Sequence, residues 1–181
     1  MSMFPIATVT VGSGGASSIT FSSIPSTYTH LQIRILAQSN RAVYGIDDMT
    51  INFNSDTGNN YAVHNLYGDG ASAGASEGTS TNKIETFRTL GTSTGGSYGI
   101  NVLDILDYAN TNKYKTTRIL GGVDFNGVIA GYGGAINLNS GLWQNTSAIT
   151  SIVLALSAGT LFTQYSSFTL YGIQTSNATG A

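Results

Sequence analysis

Cysteine is absent from the 181 residues, and charge is scarce. Without a thiol the chain has no disulfide, no thiolate nucleophile and no cysteine-type zinc site. Charged residues make up 9% of the chain, against about 25% in an ordinary soluble domain. The net charge is −2, and the seven Lys and Arg residues are scattered singly. No basic stripe exists to neutralise phosphates, which excludes nucleic acid as a partner. The longest apolar run is "IVLAL" at 152–156, far short of the ~20 residues that a membrane helix needs. The opening "MSMFPIATVTVG" lacks a basic segment and is broken by Pro5 before an apolar leader core forms, so no export signal is expected. The missing cysteine is consistent with synthesis in a reducing cytosol.

With so few charges, the polar surface has to be built from Ser, Thr, Asn and Gly. Such a surface repels its neighbours poorly, which suits a protein that works in an assembly. The hydrophobic fraction of 41% is enough for a core, and a chain of this length buries roughly 70% of its unfolded surface as one domain. A single domain over 1–181 is expected, with 1–6 as a possible N-terminal arm and 174–181 as a short tail.

Alternation with a period of two dominates from end to end. "ATVTV" (7–11) aligns Ala7, Val9 and Val11, and "ITFSS" (19–23) aligns Ile19 and Phe21. "LQIRILA" (31–37) places Leu31, Ile33, Ile35 and Ala37 on one face, and "MTINFN" (49–54) does the same for Met49, Ile51 and Phe53. "YGINVLDILD" (98–107) changes phase midway, as a β-bulge would make it do. "TRILGGVDF" (117–125), "INLNSGLW" (136–143), "ITSIVLALS" (149–157) and a C-terminal strand follow, with a weaker one at 60–68. Turn chemistry separates them at "GSGG", "DTGNN", "GDG" and "DFNG". The stretches 68–82 and 91–97 read as exposed loops, and "KIETFRTL" (83–90) is the one place for a helix, of two turns at most. Nine or ten short strands without intervening helices predict an all-β antiparallel sandwich, in the form of a jelly roll.

No catalytic constellation forms from these residues. His30 sits on the polar phase of its strand beside Gln32 and Arg34; His64 lies between tyrosines as a packing or ligand-contact residue, with no third partner for a triad. Asp104 and Asp107, three apart on a strand, point to opposite faces, and Asp47 and Asp48 read as turn residues. Asn54, Asp56 and Asn59 offer oxygens to calcium, but one carboxylate is too little charge for tight binding. The glycine clusters at 12–15 and 131–134 are turns, since no helix N-terminus follows to hold a phosphate. No metal, cofactor or catalytic residue is expected.

What remains is aromatic surface. In "GTLFTQYSSFTLYGIQ" (159–174) one face carries Phe162, Phe168 and Leu170 and the other Tyr165, Tyr171 and Ile173. Ten tyrosines with few Lys and Glu match the composition of interfaces. Tyr165, Tyr171 and Ile173, with Phe4 and Ile6 of the N-terminal arm, are therefore the candidate subunit contacts.

The segments "IPSTYTHLQIRILAQSNR" (24–41), "NFNSDTGNNYAVHNLYGDG" (52–70), "LDYANTNKYKTTRILGG" (106–122), "SGLWQNTSAITSIVL" (140–154) and "FTQYSSFTLYGI" (162–173) together resemble a recurring type of tailed-bacteriophage virion protein. The resemblance implies a non-enzymatic structural role. Its first form is a jelly-roll cement or decoration protein, a homotrimer on the capsid surface that binds the major capsid protein. Its second is a tail-fibre or spike module that holds host glycan with Tyr, Asn and Asp of loops 55–82. An enzyme such as a capsule depolymerase is disfavoured, because no facing carboxylate pair can be named.

Overall fold

A computed structural model of the chain describes residues 2–175. Twelve strands run in order: β1 (Ser2–Thr10), β2 (Ser18–Phe21), β3 (His30–Ser39), β4 (Ile46–Phe53), β5 (Tyr61–Gly68) and β6 (Ala73–Thr81). The second half holds β7 (Ile84–Gly91), β8 (Gly99–Leu106), β9 (Lys115–Ile129), β10 (Tyr132–Trp143), β11 (Ile152–Leu156) and β12 (Ser167–Gln174). The only helical piece among the described residues is one 3-10 turn, Thr92–Thr94.

The strands form two layers. The larger sheet is antiparallel throughout, in the order β1-β12-β3-β8-β9-β10-β5-β6. The smaller runs β2-β11-β4-β7, and a two-residue parallel pairing, Gln38 with Leu90 and Ser39 with Gly91, ties the layers at one end. β7 lies across β8, β9, β10 and β5. With the β9–β10 hairpin set aside, β3-β8-β5-β6 faces β2-β11-β4-β7, the wrapping of a jelly roll. The hairpin is inserted between β8 and β5, and β12 and β1 extend the opposite edge, so an eight-stranded sheet backs onto one of four.

The alternating segments bury the faces that their periodicity predicts. Leu31, Ile33, Ile35 and Ala37 of β3 and Met49, Ile51 and Phe53 of β4 are at most 2% exposed, as half-buried strands require. At one end of the core, the rings of Phe53 and Trp143 lie 5.6 Å apart and those of Tyr61 and Trp143 6.4 Å apart. The Tyr61 hydroxyl donates to the Asp56 carbonyl at 3.0 Å, so this buried phenol is satisfied.

Five local expectations are corrected. Where a helix was allowed at 83–90, strand β7 runs from Ile84 with no helical turn; Ile84 and Phe87, three apart, face the core together because the register slips between Met49 and Ile51 of β4. The bulge expected in 98–107 is not there: β8 pairs continuously with both neighbours. Part of the loop expected at 68–82 is the edge strand β6. Asp47 and Asp48 lie inside β4, where buried Asp47 accepts the backbone N–H groups of Ala158 at 3.2 Å and Gly159 at 2.9 Å. Residues 1–6, read as an arm, begin β1 from Ser2 onward and pair with β12 of the same chain. The tail at 174–181 falls outside the described residues beyond Thr175.

Lys115 at the start of β9 is wholly buried. Its ammonium donates to the carbonyls of Asn110 at 2.7 Å, Lys113 at 2.9 Å and Thr146 at 2.9 Å, pinning two loops at one end of the sandwich. Lys115→Met keeps the volume and leaves three carbonyls without that donor. Urea unfolding should show a loss of about 3 kcal/mol; a loss under about 1 kcal/mol would mean that the ammonium is not the pin.

Candidate assembly surface

In a strand, neighbouring side chains point to opposite faces, and in a sandwich the apolar set is expected to face the other sheet. Over the middle of the large sheet that polarity is reversed. β8 turns Ile100 and Val102 outward and Asn101 inward; β10 turns Ile136 and Leu138 outward and Asn137 and Asn139 inward. β5 turns Leu66 outward and Asn65 inward, and β9 adds Leu120 outward beside Gly121. The side chains of Ile100, Leu66, Leu120 and Ile136 are 58%, 57%, 55% and 62% exposed, whereas Asn101, Asn137 and Asn139 are each 1% exposed.

The strand registers align these outward residues into rows across the sheet. One row reads Leu36, Ile100, Gly122, Ile136, Gly68 from β3 to β5, and the next Arg34, Val102, Leu120, Leu138, Leu66. A shallow depression of about 290 Å³ opens between Leu66, Leu120, Ile136 and Leu138. From strand and row spacings the apolar part covers on the order of 300–400 Å², the scale at which exposed patches mark interaction sites. A polar row borders it: Asp104 accepts Gln32 Nε2 at 2.9 Å and Arg118 Nη2 at 3.2 Å, and His64 meets Glu77 at 3.1 Å.

Beneath the patch, between the sheets, lie the displaced polar groups. Gly121 is required there, because a Cβ would stand 2.0 Å from Asn101 Oδ1 and 3.1 Å from Asn137 Oδ1. Asn101 Nδ2 donates to the Arg88 carbonyl at 2.8 Å, and Asn137 Nδ2 to Asn139 Oδ1 at 2.7 Å. The Arg88 guanidinium sits 4.7 Å from the centre of the Tyr67 ring. Three amide oxygens, of Asn65, Asn101 and Asn137, have no donor among the described residues. Buried amides lower stability wherever a partner is lacking, so this half of the inner layer contributes less than the aliphatic half under β3 and β12.

The five residues expected at a subunit contact lie elsewhere, along the β1–β12 edge, and are not brought together. Tyr165 is not on a strand: at φ 71° it forms a turn before β12, with its N–H on the Val11 carbonyl at 3.0 Å, and is 68% exposed. Tyr171 is outward on β12 and half-buried, with Arg34 at 5.4 Å from its ring centre. Ile173, placed by the register between Met3 and His30, is already buried within the chain. Phe4 is exposed while stacking on Tyr28 at 5.9 Å, and Ile6 is packed against the core. The central patch escaped the sequence reading, although its signal was present: the phase change in 98–107 is a strand with apolar residues on both faces.

The polar candidates are occupied locally. His30 Nδ1 accepts the Asp107 N–H at 3.0 Å, and Asp107 stands in a turn at φ 48° where it pairs with Lys113. Asp104 and Asp107 therefore do not converge on one point. Asp56 accepts the Trp143 indole N–H at 2.7 Å, the Gly58 N–H at 2.8 Å and Asn60 Nδ2; these bonds, the indole's first, hold its carboxyl below the usual range. Asn54 Oδ1 accepts the N–H groups of Thr150 and Ser151. Asp69, in the loops considered for glycan, is held below the usual range by the N–H groups of Ser72 and Ala71. Among the described residues no three His, Asp or Glu side chains cluster as metal ligands, and no helix is long and apolar enough to cross a membrane. No family model, curated protein or solved structure matches the chain.

The reversal is tested at two adjacent residues of β9. Ile119→Ala, in the core, should cost about 2–4 kcal/mol, whereas Leu120→Ala, on the outer face, should cost about 0.5 kcal/mol or less in the isolated chain. Equal losses in denaturant titrations would refute the assigned orientation.

Proposed function

We propose that this chain is a non-enzymatic structural subunit of a phage virion, made in the host cytoplasm. Its role in this reading is capsid cement: it adds buried area across seams between major capsid subunits. One observation carries the assembly part of the reading. Six aliphatic side chains, from Leu66, Ile100, Val102, Leu120, Ile136 and Leu138, occupy the outer face of a sheet whose inner face there holds asparagines. Covering each would contribute roughly 1–2 kcal/mol, and the described residues form no further layer over that face.

The scarcity of charge supports the same reading, since a low-charge surface resists association weakly. The likeness to tailed-phage virion proteins supplies the particle, the capsid partner and the homotrimer. For the trimer contact the β1–β12 edge is the surface at hand, with Phe4 exposed near one end and Tyr165 at the other.

Cryo-electron microscopy of the virion that contains the chain is the test. Sandwich density on the outside of the shell, grouped in threes and touching the major capsid protein, is the expected result. Density confined to the tail would transfer the chain to receptor binding, and its absence from the particle would refute the virion role.

A further inference from the structure

We infer that the outer face of the large sheet receives a second copy of this chain, related by a two-fold axis that runs along the strands between β9 and β10. The inference rests on the assembly reading above and names the occupant of the face. A two-fold contact demands a surface complementary to itself. With the axis placed there, β9 lies over the partner's β10 and β8 over the partner's β5, so self-complementarity can be read from the rows.

The fit is large against small. In the first row Gly122 comes under an isoleucine, that of position 136, and Ile100 comes over the glycine of position 68. In the second, Leu120 meets Leu138 and Val102 meets Leu66, forming a continuous apolar seam. One row beyond the polar border, Leu142 opposes Thr116 and Leu106 opposes Ala62. A glycine opposite an isoleucine is the knob and hole that interdigitating sheets require. The holes are real: a Cβ at Gly122 would meet nothing nearer than the Ala135 carbonyl at 4.0 Å, and one at Gly68 nothing nearer than 3.7 Å.

Charge fits the same axis. In the polar row Asp104 comes opposite His64, Arg118 opposite Ser140, and Gln32 opposite Glu77. No carboxylate faces a carboxylate and no cation faces a cation. A shift of the axis by one strand, to lie between β8 and β9, would put Arg118 over Asp104 and keep Leu120 on Val102 and Ile100 over Gly122, but would leave Leu66 and Leu138 without apolar partners. Six strands by four rows cover roughly 800 Å² on each copy, the amount that a stable interface of standard size buries per partner.

The test is sedimentation of the full chain at tens of micromolar, with two variants. The wild type should sediment as an even-numbered species, a dimer or two trimers joined. Leu138→Glu, which puts a carboxylate in the seam, and Gly122→Val, which fills the hole at a position where a Cβ meets nothing of its own chain nearer than 4.0 Å, should each weaken that species about tenfold or more. Thermal melts of the dilute chains should leave both variants folded. A wild type that stays monomeric or trimeric, or an even species indifferent to both variants, overturns the inference. Binding of the same variants to purified phage shells separates this outcome from failure of the assembly reading. Lost shell binding in a chain that never pairs with itself assigns the face to the capsid protein, and unchanged shell binding removes the face from both.

Discussion

The two-residue period of the extended backbone governs this protein. Once β8, β9, β10 and β5 are hydrogen-bonded in register, placing Leu103, Ile119 and Val63 in the core forces Val102, Leu120 and Leu66 outside. A one-residue slip would exchange the two sets, exposing Leu103 and Ile119 and burying Arg118 and Asp104. The observed register is therefore the better of two costly choices for an isolated sheet, and the residual cost appears as an aliphatic outer face above a layer of asparagines.

The rest of the architecture makes that compromise tolerable. The aliphatic and aromatic core is concentrated under β3, β12, β4 and β11, where inward side chains such as Leu31, Ile33, Leu154 and Leu170 are wholly buried. Against β7, the edge of the small sheet, the inner face of the large one turns polar, with Asn101 bonded to the Arg88 carbonyl of that strand. Pro5 and a register shift interrupt β1, and β2 is four residues long, so two of the sheet edges resist unwanted pairing. The exposed aliphatic groups are thus concentrated on a face, where side-chain shape can discriminate, and not on strand edges, where backbone pairing would be less selective.

Much of the fold was legible in the chain. The clean alternation of 31–37 and 49–54 located two central strands and their buried faces, because those strands are polar on one side. The jelly-roll sandwich followed from strand spacing and turn chemistry. β7 was obscured by its bulge, which brings Ile84 and Phe87 to one side at a spacing that imitates a helix. β6 was obscured by composition, since "AGASEGTST" is small and polar and becomes a strand only by pairing with β5. The outward aliphatic face was not legible because a period of two separates the faces of a strand without saying which one turns inward: in "INLN" the apolar residues point out. The aromatic contacts chosen from the C-terminal segment depended on extending a strand through Tyr165, where a left-handed turn ends the alternation.

Hydroxyl-radical footprinting of the outer aliphatic residues measures the central claim most directly, comparing the diluted chain with the same chain in its assembled particle. Leu66, Leu120, Ile136 and Leu138 should be readily oxidised when free and strongly protected when assembled, with Ile119 protected in both states. Oxidation of the four at the same rate in both states would contradict the account.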